Sequence, residues 1–203
     1  MTDFSIPCDT FVRLANVIHT LPDDIEPVFR CVRIDNGCAI ATDRNFMAIE
    51  KITDVPGIVH VIPSLALINQ CRVEAGFNGT LTITVNDMLK YAVAKTSLGY
   101  VHPENVGQWF EGPNLLDRWH EIVMQANEPA QRSIGGMYWD CDGIAKLANS
   151  SPSGRVVFEE KIDATRPSLI RDTSDYSWLG VFNPFTSTQS YQPASMPSWV
   201  SAR

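Results

Sequence analysis

One block of sequence occurs twice in this chain, and its recurrence limits the fold more than any single motif does. In each copy a short amphipathic helix is followed by a Gly turn, two strands and a closing run that holds Gly, an aromatic residue and Pro. The first copy runs from Ile62 through Pro63 and Ser64 to Cys71 and turns at Gly79. Strands from Thr80 to Val85 and Met88 to Thr96 follow, and Gly99, Tyr100, Val101, His102 and Pro103 close it. The second copy has its helix from Asp140 to Asn149, its turn at Gly154, and strands from Arg155 to Lys161 and Ser168 to Arg171. It closes on Gly180, Val181, Phe182, Asn183 and Pro184. Such a repeat predicts duplicated α+β modules, each burying its helix against its own sheet.

The segments around the repeat carry equally local signals. Asp9 is placed to cap a helix whose Phe11, Leu14, Ala15 and Ile18 form one apolar stripe, with Pro22 as its stop. Phe29 to Ile34 and Cys38 to Thr42 flank the turn Asp35-Asn36-Gly37 and read as a hairpin. A turn at Asp43-Arg44-Asn45 leads into a third strand, Phe46 to Ile52. Pro63 opens the next helix, and Thr80 to Val85 alternates Leu81, Ile83 and Val85 with three threonines, the pattern of a half-buried strand. From Glu104 to about Ser133 the pattern is broken by Gly and Pro. Within it Leu115, Leu116, Trp119, Ile122 and Val123 fit either a short helix or a connector packed over the sheet. The Ser-, Thr-, Gln- and Pro-rich residues after Phe185 read as a mobile tail.

Composition narrows the function classes. At 203 residues, 44% hydrophobic and 19% charged, the chain has enough apolar material for a real core. No apolar run is long enough to span a bilayer, and Met1-Thr2-Asp3-Phe4 begins no signal peptide, so the expected compartment is the cytoplasm, the host's in the case of a viral chain. The five cysteines lack CxxC spacing and read as buried free thiols. A net charge of -7 repels nucleic acid on average, so any DNA contact needs a local basic surface.

The order of these elements, joined to the connector Phe110-Glu111-Gly112-Pro113-Asn114-Leu115-Leu116-Asp117-Arg118-Trp119, resembles the DNA sliding clamps of the bacterial beta type. The resemblance implies an α+β fold of clamp-like modules, antiparallel sheets with helices on one face. Residues 1–103 match a complete clamp-like domain, 104–133 a connector, 134–185 a second, partial domain and 186–203 a flexible tail. The stretch between the connector and Asp140 has no room for the three strands of a full first half-domain, so the resemblance is to a shortened and divergent form of that type.

The resemblance also implies a division of labour among residues. Clamp helices line the inner wall of a ring, where basic side chains meet phosphates without reading sequence. Arg13, Arg72 and Lys146 occupy that place on three helices here, although each also fits an ordinary solvated helix position. Clamp partners dock apolar peptides beside an interdomain linker. The corresponding residues are Leu115, Leu116, Trp119, Val181, Phe182 and Phe185, for which packing of the connector onto the sheet is the competing reading. The implied partners are double-stranded DNA, bound weakly and without sequence preference, a DNA polymerase or other replication protein, and further copies of the chain in a homo-oligomer. No membrane partner is implied.

No catalytic class is signalled. The Gly-x-Ser-x-Gly, P-loop and Gly-x-Gly-x-x-Gly patterns are missing from the sequence, and His19, His60, His102 and His120 do not stand at metal-ligand spacing. Asp140 with Asp142, and Asp172 with Asp175, could in principle hold Mg²⁺, but caps and turns explain them. No enzyme activity, cofactor or metal is therefore expected. Three functions of different class remain: a processivity factor that tethers a polymerase to DNA, a clamp-fold interaction module that modulates a replication partner without encircling DNA, and a hydrolase assembled from dispersed acids.

Overall fold

The computed structural model describes residues 2–18, 27–53, 57–86, 88, 91–99, 107–108, 115–127, 141–158 and 167–182. The chain begins with β1 (Thr2–Pro7) and α1 (Cys8–Ile18), then a 3₁₀ turn at Pro27–Arg30 and three strands, β2 (Val32–Asp35), β3 (Cys38–Thr42) and β4 (Phe46–Lys51). A second unit follows, with β5 (Ile58–Val61), α2 (Leu65–Ala75), β6 (Thr80–Asn86), β7 (Tyr91–Thr96) and the short β8 (Gly107–Gln108). Beyond it a 3₁₀ turn at Leu115–Arg118 runs into α3 (Trp119–Asn127), and α4 (Cys141–Ser150), β9 (Val156–Phe158), β10 (Ser168–Asp172) and β11 (Trp178–Phe182) complete the described chain.

The order β1 α1 β2 β3 recurs as β5 α2 β6 β7, and the two units exchange their first strands. β1 pairs with β6, completing the three-stranded sheet β1-β6-β7, while β5 pairs with β2 in the eight-stranded sheet β8-β5-β2-β3-β4-β11-β10-β9. All described pairings are antiparallel. At the centre of the large sheet β4 pairs with β11, from Phe46 opposite Phe182 to Glu50 opposite Trp178, so the first unit and the C-terminal strands share one sheet. Neither β4 nor β11 is left as an open edge.

Strand period decides what each face buries. In β3, β4 and β11 the side chains of Ala39, Ala41, Phe46, Ala48, Trp178 and Phe182 enter one core beneath a helical layer, in which α1 touches both α2 and α4. Ile40, Met47, Ile49 and Val181, one residue out of phase, face the opposite side and pack under α3 with Leu116, Trp119 and Leu169. The middle of this sheet is thus covered on both faces, which is why β4 reads as an unbroken apolar run rather than an alternating one.

Local chemistry fixes the turns and helix ends. Asn36 (φ 45°) and Gly37 (φ 85°) form the two-residue loop between β2 and β3, the left-handed pair that this hairpin needs. α1 starts at Cys8, one residue before the expected cap; Asp9 lies in its first turn and pairs with Arg13 at 2.6 Å. α2 is capped by Ser64, whose Oγ accepts from Leu67 N–H, so Pro63 stands before the cap rather than inside the helix. Phe29, expected in a strand, lies in the 3₁₀ turn, and β5 carried no recognised sequence signal. α2 is also less amphipathic than expected, with Leu65 and Val73 exposed. The domain limits near residues 103, 133 and 185 and the tail 186–203 lie outside the described residues.

Candidate functional site

The 3₁₀ turn and α3 are bolted to the outer face of the large sheet by buried polar groups. Arg33, 2% exposed on β2, donates to Asp35 Oδ2 through Nε and Nη2 and to Asp117 Oδ1 at 2.6 Å. Trp119 Nε1–H donates to the same Asp35 oxygen at 3.1 Å, while Asn36 Nδ2–H satisfies Oδ1. A buried guanidinium and carboxylate are tolerable because each is met by several hydrogen bonds. The connector therefore has a fixed register on the sheet.

Two concavities flank α3. One, of about 420 Å³, lies between Trp119, Ile49, Leu179 and Cys38 and has the exposed Tyr176 at its rim. The other, about 270 Å³, has a floor of Met47, Ile122, Val181 and Pro167 and a rim formed by Thr42, Arg44 and Asn45 of the β3–β4 turn. That turn is tightly built. Asp43 Oδ1 accepts from the N–H groups of Asn45 and Phe46, Thr42 Oγ1 accepts from Arg44 N–H, and Asp43 Oδ2 takes Lys146 Nζ at 2.8 Å. The second groove has an apolar floor and a small number of polar groups at its edge, the usual makeup of a recognition pocket.

Of the residues expected to bind partners, Leu116, Trp119 and Val181 come together in the cluster beneath α3, all nearly inaccessible. Val181 lines the smaller groove and Trp119 the larger. Phe182 points to the other side of the sheet and stacks on Phe46 with ring centroids 5.3 Å apart, so it belongs to the helix-side core. The Leu115 side chain and Phe185 lie outside the described residues. Met47, Ile122, Arg44 and Asn45 line the smaller groove without having been expected as site residues. The alternation of Met47 and Ile49 with Phe46 and Ala48 was the available signal, but it could not say which face α3 covers.

The three helix cations have different surroundings. Arg13 binds Asp9 and, at 2.7 Å, Glu50, whose Oε1 also accepts from Thr10 Oγ1; Glu50 Oε2 has no protein partner among the described residues. Burial pushes the Glu50 carboxyl up, against the opposing pull of Thr10 and Arg13. Lys146 is held by Asp43. Arg72 is exposed, and among the described residues its guanidinium donates to Asn69 Oδ1 at 3.4 Å. Among the described residues, no group of three or more His, Cys, Asp or Glu side chains is placed to hold a metal ion, and no helix is long and apolar enough to cross a membrane.

This fold is that of the DNA sliding clamps: antiparallel sheets assembled from exchanged strand-helix-strand units, with one helical layer. Similar solved structures include the beta subunit of DNA polymerase III from Thermotoga maritima, at 10% identity and a TM-score of 0.58 over 93% of this chain and 66% of that one. The DNA polymerase sliding clamp of Pseudomonas aeruginosa, determined with a ligand, gives 12% identity and a TM-score of 0.55 over 92% of this chain and 66% of the clamp. The same organism's clamp bound to griselimycin gives 12% and 0.54, over 91% and 65%. The chain thus spans about two thirds of the length of these clamps, and at such identity the likeness establishes the fold alone. No protein-family model matches the sequence, and no curated protein does.

Proposed function

We propose that this protein is a non-enzymatic, sliding-clamp-like accessory of DNA replication in the cytoplasm, which tethers a polymerase or another replication protein through the groove beside α3. The observation that carries the reading is the 270 Å³ groove between α3 and the β3–β4 turn, open on the face away from the helical layer. A partner bound there leaves the helical face available to DNA. Arg72 is the cation we assign to phosphate contact; Arg13 and Lys146 act mainly within the chain, because Asp9, Glu50 and Asp43 already balance their charge. Contact with DNA is accordingly weak and independent of sequence, with a log-log salt slope of about -1 per chain instead of the -3 or so that three such contacts would give.

The test is primer extension by a polymerase from the same source organism, with and without the full chain. Longer products per binding event are expected, and Ile122→Arg, which fills the groove, should remove the gain. No gain from a polymerase that still binds the groove would favour the second reading, a clamp-fold module that modulates a partner without encircling DNA. That alternative draws support from the ion pairs at Arg13 and Lys146 and from the exposed Leu65 and Val73 on α2.

A further inference from the structure

Tyr176 is presented to solvent on a pinned backbone. The turn that carries it is braced on both sides: Asp172 Oδ1 accepts from the N–H groups of Ser174 and Asp175, and Asp175 Oδ1 accepts from the N–H and the hydroxyl of Ser177. Lys51 N–H donates to the Ser177 carbonyl at 2.8 Å and ties the turn to the end of β4. The phenol ring itself is 91% exposed, at the rim of the larger concavity of about 420 Å³. An aromatic side chain held in place but uncovered loses little entropy when a partner packs on it, and Tyr and Trp are the residue types that anchor interfaces. Trp119 lines the same cavity from α3, beside a floor of Ile49, Leu179 and Cys38. Lys51 is exposed at the rim, and no described residue forms an ion pair or hydrogen bond with its ammonium group.

We propose that this larger cavity takes a segment of another protein in which an Asp or Glu side chain stands one or two positions from a bulky apolar residue. The inference does not rest on the smaller groove, since Lys51, Trp119 and Tyr176 line the larger concavity and not the smaller. Charge complementarity selects the occupant: Lys51 is the charged member of a described lining that is otherwise apolar or neutral. Ile49 and Lys51 stand two residues apart on β4 and share one face, about 7 Å from each other. An extended partner segment presents its own side chains at that spacing, so an apolar anchor over Ile49 and Leu179 brings a neighbouring carboxylate to the ammonium group. A single cation matches one carboxylate and not a run of phosphates, which sets the site apart from a nucleic-acid contact. The chain's own residues 183–203 contain no Asp or Glu, and so lack the matching charge.

The experiment is selection of a displayed random octapeptide library on the full chain, counter-selected on the Lys51→Met, Tyr176→Ser double variant, followed by fluorescence anisotropy of the enriched peptides. Both positions are exposed, so the double variant should melt with the wild type. Asp or Glu one or two positions from an apolar residue should be enriched. Replacing that acid by its amide should weaken binding about fivefold on the wild type, less at high salt, and hardly at all on Lys51→Met. Lys51→Arg should keep the preference, and Tyr176→Ser should weaken acid and amide peptides alike, by about tenfold. Binding should persist on Ile122→Arg, which alters the smaller groove; its loss there places the peptides in that groove, overturns this inference and leaves the proposed function standing. Enrichment of apolar peptides without an acid, an acid preference that survives in Lys51→Met, or no enrichment over the double variant overturns the proposal. Displacement of the acidic peptide at equal concentration by a synthetic peptide of residues 183–203 assigns the cavity to the tail, and displacement by a single-stranded oligonucleotide assigns it to nucleic acid. Peptide binding that is lost as the chain dimerises assigns it to a second copy, and each of these three results also overturns the proposal.

Discussion

Asp172 shows how a single buried acid is made to carry structure. Its burial would raise the carboxyl pKa, but Ser151 Oγ–H and the backbone N–H groups of Ser153, Ser174 and Asp175 donate to it, and together they hold it well below the ordinary value of 3.8. A depressed carboxyl contributes stability that is complete above its unfolded value and is lost as pH falls toward the folded one. Asp172→Asn should therefore unfold at lower denaturant than wild type at pH 7 and show a smaller drop between pH 7 and pH 3; parallel profiles would refute the assignment. Arg13 makes the reverse case. Its removal strands Glu50 in the core, so Arg13→Ala should cost about 3 kcal/mol in chemical unfolding, with little change in DNA binding.

At the scale of elements, α4 is held by what it lacks. A Cβ built on Gly143 would lie 1.7 Å from Phe46 Cζ, so the helix can approach β4 only with glycine at that position. Glycine is a poor helix residue, and its presence in the first turn of α4 is explained by this contact. Gly143→Ala, which raises helix propensity, should nonetheless destabilise by about 2 kcal/mol through overpacking; a gain in melting temperature would show that Phe46 moves aside freely. For α3 the attachment is polar. Trp119→Phe keeps the packing but removes the hydrogen bond to Asp35, and a loss of about 1 kcal/mol is expected, together with a loosened groove.

For the whole molecule, the pairing of β4 with β11 makes one sheet out of two segments far apart in the chain, and Phe182 is a principal contact across the join. Fully buried, it is a residue of stability rather than of partner affinity. Phe182→Ala should cost about 3–5 kcal/mol and lower a single cooperative transition, whereas two separate transitions would mean that the shared sheet does not couple the units.

Local periodicity and turn chemistry let the sequence by itself determine much of the architecture. The stripe Phe11, Leu14, Ala15 and Ile18 is buried as its spacing requires, Asn36-Gly37 sets a hairpin, and Leu81, Ile83 and Val85 face inward while the threonines between them remain partly exposed. These are interactions among residues close in the chain, where the side-chain period alone decides the face. The clamp-like order was legible for the same reason. The site was not, because it depends on which strands meet. Nothing in residues 46–51 or 178–182 specifies that they pair, and only that pairing places Val181 on the face covered by α3 and Phe182 beneath the helices. Likewise Arg13 and Lys146 look like free helix cations until the fold brings Glu50 and Asp43 to them across 37 and 103 residues. A charge's partner and a groove's walls are long-range facts, settled by burial and register in three dimensions, and a local reading of the chain contains no term for either.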